Sequence, residues 1–244
     1  MHLFNIFKRQ FHYKKLDSTS SFLSRNYKKY CNLTFVSADF QTDGHGRINR
    51  KWESEESKNL MFSFLIKDKT ILEKYDSLSL STAVSVFNSL KIFNLNNVSI
   101  KWPNDVYAND KKICGILLEG CSNGSQLESI VVGVGVNLNQ EEFDNDNATS
   151  YFIETKNIMD IVLFKRTLYK EIKKSIIKLK NNNNDYLNVI RENNYLLNKE
   201  VYAEYNNEIV IAKALDINDD NTIKLLINGE IKDIRSGEIS FHKE

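Results

Sequence analysis

The hydrophobic periodicity of the chain changes once, near residues 194–199, and this change constrains the fold more than any other feature. Before it, apolar runs of strand length alternate with segments whose apolar residues recur at helical spacing. After it come short strand-like stretches separated by asparagine-rich turns, at 199–205, 208–217, 222–227 and 230–236. We therefore predict an α/β domain over residues 1–196 and a small β-barrel over residues 197–244.

Within the first region the pattern predicts a mixed β-sheet with flanking helices. The predicted strands are 11–16, 33–40, 59–66, a strand entering at Val98, 111–120 and 129–139, and the predicted helices run from the capping residues 17–20 to about 30, over 78–93 and within 157–196. Glycines interrupt two of the buried strands, at 115 and at 133 and 135. A glycine in mid-strand marks a bulge or a close approach by a ligand or another backbone.

Charge and cysteine content exclude several functional classes. The chain has 33 lysines and arginines against 32 aspartates and glutamates, a net charge of +1, which gives no support to nucleic-acid or membrane binding. No run approaches the ~18 apolar residues of a membrane span. The basic, aromatic first residues lack a continuous apolar core and read as a short lead-in to the first strand. Three cysteines without metal-type spacing predict reduced, buried thiols in a cytoplasmic protein.

The loop Asp43–Trp52 combines flexible backbone with positive charge. It holds two glycines, four side chains that are or can become cationic, and a closing aromatic: Gly44, Gly46, His45, Arg47, Arg50, Lys51 and Trp52. Glycines allow close approach to a ligand, and fixed cations beside exposed N–H groups suit a phosphate. A solvated basic turn is the alternative interpretation, and for ten residues alone it is the more common one.

A second informative stretch, K-W-P-N-D at 101–105, carries Lys101, Asn104 and Asp105, and Lys112 follows shortly after it. We expect these residues and the basic loop to converge on one face of the sheet. The set has many cations and one key carboxylate, but no P-loop, no dinucleotide-binding glycine fingerprint and no metal-ligand spacing. It therefore favours nucleotide or phosphate chemistry that works by positioning and charge stabilisation on a small co-substrate.

The motifs resemble those of biotin–protein ligases, in family order along nearly the whole chain. They are L-D-S-T-S at 16–20, Q-x-x-G-x-G-R-x-x-R-K-W at 41–52, K-W-P-N-D at 101–105, K-I-C-G-I-L-L-E at 112–119, G-V-G-V-N at 133–137, A-T-S at 148–150 and G-E-I-S at 237–240. The resemblance implies an α/β catalytic domain followed by an SH3-like barrel. It also implies a two-step reaction, in which biotin and ATP give biotinyl-5′-AMP and pyrophosphate, and the biotinyl group then passes to a lysine of a biotin carboxyl carrier domain. Mg²⁺ is expected with the ATP.

The resemblance assigns roles residue by residue. The biotin-binding set is Ser18, Thr19, Gln41, Gly44, Gly46, Arg47, Lys112 and Gly115. The set that contacts ATP or the adenylate is His45, Arg47, Arg50, Lys51, Trp52, Lys101, Asn104 and Asn137. Lys112, Asp105 and Arg47 are the catalytic candidates, with Asp105 orienting or deprotonating the incoming lysine. For Ser18 and Thr19, simple helix capping is the alternative.

Two positions depart from the family loop, since His45 and Asn49 stand where an arginine and a glycine are common. A neutral histidine would hold the phosphate of the intermediate less firmly. The segment before Leu16 is too short for a helix-turn-helix, so we expect no operator binding. The protein is expected to be a monomer or a homodimer. The rival interpretations are a lipoate–protein ligase, whose glycine-rich loop is absent here, and a binding module without catalysis.

Overall fold

A computed structural model describes residues 9–47, 50–237 and 239–241. Its larger sheet has seven strands in the order β1-β2-β3-β7-β6-β5-β4, in which β1 and β2 run parallel and the other neighbours antiparallel. The strands are β1 Gln10–Leu16, β2 Phe35–Gln41, β3 Leu60–Ile66, β4 Val98–Lys101, β5 Asp105–Ala108, β6 Lys111–Asn123 and β7 Gln126–Val136.

Helices cover both faces of this sheet. They are α1 Thr19–Asn26, α2 Lys69–Leu72, α3 Tyr75–Ile92, α4 Tyr151–Thr155, α5 Ile161–Lys180 and α6 Tyr186–Glu192, and a 3₁₀ turn follows α1. The Asp160 side chain caps α5 by accepting a hydrogen bond from the Leu163 backbone N–H. The apolar residues of α5 recur at helical spacing and are buried in the main core together with those of α3. On the opposite face, Leu23 of α1 packs with Val36, Leu65 and Val131.

A second, five-stranded antiparallel sheet follows, in the order β11-β10-β9-β8-β12. Its strands are β8 Glu200–Tyr205, β9 Glu208–Ile217, β10 Ile223–Ile227, β11 Glu230–Ile234 and β12 Ile239–Phe241. Asn228 and Gly229 form the β10–β11 turn with positive φ, as the hairpin signal predicted. The predicted fold class, a mixed α/β sheet plus a small C-terminal β unit, is therefore confirmed; the boundary at residue 196 stays a prediction.

Several predicted elements differ in detail. The strand expected from Val98 is two strands, β4 and β5, which pair antiparallel because the chain reverses between them at residues 102–104. The helical region 157–196 is broken at residues 181–185, where Asn182 has positive φ. Cys31 is exposed, so the prediction of three buried thiols was wrong for it. None of the described helices is long and apolar enough to cross a membrane. The first eight residues and Asn49 lie outside the described residues.

Candidate active site

Glycines make a hollow in the sheet on the face that α1 covers. Side chains alternate along a strand, so Gly133 and Gly135 share the face of Val131, which packs under α1. A Cβ added to Gly133 would lie 2.4 Å from Ser20 Oγ, and one added to Gly135 would lie 2.4 Å from Trp52 Cε2. Any larger residue at either position would fill the hollow.

Trp52 lies across two neighbouring strands. Gly115 of β6 is paired with Gly135 of β7, and the indole covers both, since a Cβ on Gly115 would meet Trp52 Cζ3 at 2.9 Å. The Nζ of Lys112 lies 5.8 Å from the ring centroid, within range for a cation–π contact. The indole Nε1 of Trp52 is buried and has no hydrogen-bond partner among the described residues. A buried unsatisfied donor at a cleft wall is suited to a ligand.

Backbone hydrogen bonds close the basic loop on itself. Trp52 N donates to Gly44 O at 2.9 Å, and Gly46 N donates to Arg50 O at 2.7 Å. A Cβ on Gly44 would come within 2.9 Å of Gln41 Nε2, so this buried glycine allows the loop to pack tightly against the end of β2. Gly44 is outside the cleft lining, whereas Gly46 contributes to it.

A buried network of hydroxyl and amide groups lies at the N-terminus of α1. Both the backbone N–H and the Oγ1 of Thr19 donate to Gln41 Oε1, at 2.8 and 3.0 Å. Ser63 Oγ joins the network, 2.8 Å from Thr19 Oγ1 and 3.0 Å from Ser20 Oγ. Ser18 is the helix N-cap and also lines the cleft, so the capping and ligand interpretations are compatible. The network presents fixed donors and acceptors to a small polar group.

Lys112 and Asp105 form an ion pair inside the cleft. Lys112 Nζ lies 2.7 Å from Asp105 Oδ1, and the side chains are 33% and 19% exposed. The backbone of Lys112 is held from the other side, because it donates to Asn147 O and accepts from Thr149 N. The A-T-S segment therefore positions this lysine. A partly desolvated pair of this kind is a strong local electrostatic element.

The remaining polar residues surround that pair. Arg47 Nη1 donates to Asn104 Oδ1 at 3.4 Å, and Asn104 Nδ2 donates to Ile116 O at 2.7 Å. Lys101 Nζ lies 3.2 Å from the hydroxyl of Tyr107, whose pKa is raised by burial and by the nearby Asp105 carboxylate. Asn137 is buried, and its Oδ1 has no hydrogen-bond partner in the described part of the chain.

These residues line one cleft of about 480 Å³, within the range for small-molecule sites. Of the residues predicted from sequence, all but Gly44 line it: Ser18, Thr19, Gln41, His45, Gly46, Arg47, Arg50, Lys51, Trp52, Lys101, Asn104, Asp105, Lys112, Gly115 and Asn137. Among the described residues of the lining, five are lysines or arginines, against two carboxylates, Glu53 and Asp105. The cleft is therefore locally cationic in a chain that is nearly neutral overall.

Among the residues to which sequence reasoning assigned no role, two glycines and two serines shape this site directly. Gly133 and Gly135 carry the same mid-strand signal as Gly115, and counting strand alternation from Val131 would have placed them on the site face. Ser20 and Ser63 bond to the predicted hydroxyl network. Ser63 sits in an apolar run, where a lone serine marks a buried polar contact but does not say which one.

A cationic cleft with unsatisfied buried groups and a hydroxyl–amide network is a site suited to an anionic ligand and a small polar group together. Comparison with known proteins identifies the family of the chain. Residues 13–137 match the model of the biotin/lipoate A/B protein ligase family, and the chain belongs to that family.

The relatives support this membership in sequence and in fold. The chain is 28% identical over 209 residues to a biotin–[acetyl-CoA-carboxylase] ligase of Mycobacterium tuberculosis, covering 83% of this chain and 76% of that protein. It is 37% identical over 111 residues to the bifunctional ligase/repressor of Bacillus subtilis, which is 46% of this chain and only 34% of that protein. The fold matches the biotin protein ligase of Aquifex aeolicus in complex with biotin and ATP, with a TM-score of 0.87, 30% identity, and 98% of this chain and 100% of that chain covered.

Proposed function

We propose that this chain is an ATP-dependent biotin–protein ligase that makes biotinyl-5′-AMP and then biotinylates a lysine of a biotin carboxyl carrier domain. The observation behind the proposal is the Lys112–Asp105 ion pair, placed in one cleft with the Thr19–Gln41 hydroxyl and amide network. The first feature suits a reacting carboxylate and phosphate. The second suits a ureido group, which needs both donors and acceptors.

In the first step the biotin carboxylate attacks the α-phosphorus of ATP. A carboxyl oxygen–phosphorus bond forms, the bond to the β-phosphate oxygen breaks, and pyrophosphate leaves. Ser18, Thr19 and Gln41 hold the ureido head, and Lys112 contacts the carboxyl oxygen. Arg47, Arg50 and Lys51 stabilise charge on the phosphates, and Trp52 closes the site. Lys101, Asn104 and Asn137 border the nucleotide.

In the second step the neutral amine of the acceptor lysine attacks the acyl carbon of biotinyl-AMP. A carbon–nitrogen bond forms, the acyl–oxygen bond breaks, and AMP leaves with the electron pair. Asp105 orients the amine or takes its proton, and Lys112 stabilises the oxygen that gains charge. The Lys112–Asp105 ion pair supports these roles, because it holds both side chains together in the cleft.

Magnesium is expected to arrive with ATP and to be held mostly by phosphate oxygens and water. Within the described residues there is no cluster of three or more His, Cys, Asp or Glu side chains that could hold a metal ion. The cleft carboxylates Asp105 and Glu53 are the residues that could contribute one ligand. This donor set fits an ion that neutralises phosphate charge during pyrophosphate release.

The decisive assay is pyrophosphate release with each substrate omitted in turn. We expect release that requires both biotin and ATP, and biotin transfer when a carrier domain is added. Release with lipoate or octanoate instead of biotin would show a different ligase of the same family. Ligand binding without any release would show a binding module. A mobility-shift assay on candidate operator DNA tests the separate expectation that the protein does not bind DNA.

Replacement of Ser63 by alanine tests the ureido network. The change removes a hydroxyl that bonds to Thr19 and Ser20, and both are buried, so each loses a partner. A lost buried hydrogen bond costs about 1–3 kcal/mol, so the Kd for biotin should rise roughly tenfold or more. Titration calorimetry measures this. The control is Ser89→Ala in α3, an equally buried serine outside the cleft lining. An equal rise in both variants would contradict the role of Ser63.

Replacement of His45 by arginine tests how firmly the adenylate is retained. The His45 ring lies 3.6 Å from Glu119 and hydrogen-bonds the Asp43 carbonyl, and His45 is one of the residues that line the cleft. An arginine adds a permanent charge and a charged hydrogen bond, worth about 1.5–3 kcal/mol. The off-rate of biotinyl-AMP should therefore fall at least tenfold relative to the parent. His12→Arg on β1 is the control, and equal off-rates for His45→Arg and the parent would refute the hypothesis.

A further inference from the structure

A second, smaller cavity adjoins the active-site cleft. It measures about 200 Å³, below the range for nucleotide-sized ligands, and is large enough for one long side chain. Six residues line both spaces: Arg47, Trp102, Pro103, Asn104, Ile116 and Leu117. The small cavity therefore ends at the residues that surround the reacting groups.

The rest of the cavity wall is mixed, because two leucines lie there beside the polar residues Tyr75, Ser79, Asn221 and Ser236. Leu80 and Leu118 extend the apolar surface that the shared residues begin. Asp76, in the first turn of α3, lines the small cavity but not the main cleft, so its carboxylate lies away from the reaction centre. The apolar part of the wall suits the methylene chain of a lysine, and the Asp76 carboxylate suits its ammonium group.

The charges around the cavity support a cation in this position. Asp76 is partly desolvated, and burial raises the pKa of its carboxyl group, while Arg235 lowers it and Asp220 raises it. An incoming ammonium would share the carboxylate with Arg235. Arg47 lies at the inner end, where the phosphate of a bound adenylate would offset its charge. An anion would meet the carboxylate of Asp76 and is disfavoured there.

The C-terminal sheet contributes the outer wall of the cavity. Asn221, in the β9–β10 turn, accepts a hydrogen bond from Trp102 Nε1 on its carbonyl at 3.0 Å. Its side chain accepts from the Tyr186 hydroxyl at 2.6 Å and donates to Ser77 Oγ at 3.1 Å. These bonds join the turn to the K-W-P-N-D segment, α6 and α3, so the space between the two sheets is held at a defined width.

We propose that this cavity binds the side chain of the acceptor lysine, with Asp76 drawing in its ammonium group. The assignment rests on the proposed ligase function and adds the route of the second substrate. With biotinyl-AMP in the main cleft, the lysine needs a separate approach to the acyl carbon. From Asp76 the nitrogen advances along the apolar part of the wall to Asn104 and Asp105. There the ammonium gives one proton to the Asp105 carboxylate, and the neutral amine attacks the acyl carbon. AMP leaves with the electron pair of the broken acyl–oxygen bond, and the second proton passes to AMP or to water.

The test separates the two half-reactions in Asp76→Asn. Transfer from preformed biotinyl-AMP to a carrier domain should show a KM for the carrier raised about tenfold, because the cation loses its charged partner. Pyrophosphate release in the absence of carrier should stay within about twofold of the parent. Raising the salt concentration should increase the parent's KM more than that of the variant, because salt screens the charge attraction. Glu73→Gln, a nearby exposed acid outside the cavity lining, is the matched control.

Hydroxylamine as the acceptor provides a second readout. It is neutral and needs no side-chain channel, so its reaction with enzyme-held biotinyl-AMP should be equal in Asp76→Asn and the parent. Ser236→Trp, which places bulk in the same cavity, should reduce transfer to the carrier but leave the hydroxylamine reaction intact. An unchanged carrier KM in both variants would overturn the proposal. So would loss of pyrophosphate release in Asp76→Asn, which would indicate a phosphate role. A parent enzyme without biotin-dependent pyrophosphate release would refute the ligase function itself.

Discussion

Replacement of Lys112 by alanine is expected to reduce both half-reactions by about 10²–10³-fold or more, the usual cost of removing a group that stabilises transition-state charge. Lys112 Nζ lies 2.7 Å from Asp105 and close to the Trp52 ring. Its loss removes the cation proposed to contact the reacting carboxyl oxygen and leaves the partly buried Asp105 carboxylate unpaired.

The neighbouring lysine offers the matched control. Lys111 is exposed and starts the same strand, so Lys111→Ala changes the net charge equally without touching the cleft. Pyrophosphate release and transfer from preformed biotinyl-AMP should be measured for both variants, with thermal unfolding to confirm that each is folded. Equal activity in the two variants would remove Lys112 from the mechanism.

Replacement of Gly135 by alanine should abolish tight binding of biotin and of the adenylate while leaving the chain folded. The new Cβ would lie 2.4 Å from the Trp52 ring, a distance at which one group must move. Trp52 is on a loop, whereas Gly135 is in the middle of the sheet, so the indole is the group that yields. The loop then loses its packing surface over the cleft.

Intrinsic fluorescence and calorimetry can measure this effect. The chain has two tryptophans, and both line the cleft, so their fluorescence reports ligand binding while calorimetry gives the affinity. Gly120→Ala is the control because its Cβ meets only the end of the flexible Leu127 side chain, at 3.0 Å. We expect biotin affinity to fall at least a hundredfold in Gly135→Ala and to change little in Gly120→Ala. Retained affinity in Gly135→Ala would contradict the proposal that Gly115 and Gly135 form the surface on which the Trp52 ring packs.

Local chemistry made much of the fold predictable from sequence. The apolar runs of β3, β6 and β7 and the Asn228-Gly229 turn carry their own signals. The short helix α2 and the strand β12 have too few residues for a recognisable sequence pattern. They form because neighbouring elements pack against α2 and because β8 pairs with β12. The reversal at Trp102–Pro103 likewise needed the neighbouring strand β6, which pairs with β5.

The same distinction applies to the site, where some residues were predictable from sequence and others were not. The sequence by itself determined the residues that bear charge or special backbone freedom, such as Arg47, Asp105 and Lys112, because their chemistry is visible in the motif. Only the tertiary structure decided that Ser63 supports Thr19, because that contact joins β3 to the start of α1 across 44 residues of chain. It also decided that Asp76 lines a cavity beside the larger cleft, since the walls of that cavity come from segments that meet only in the folded chain.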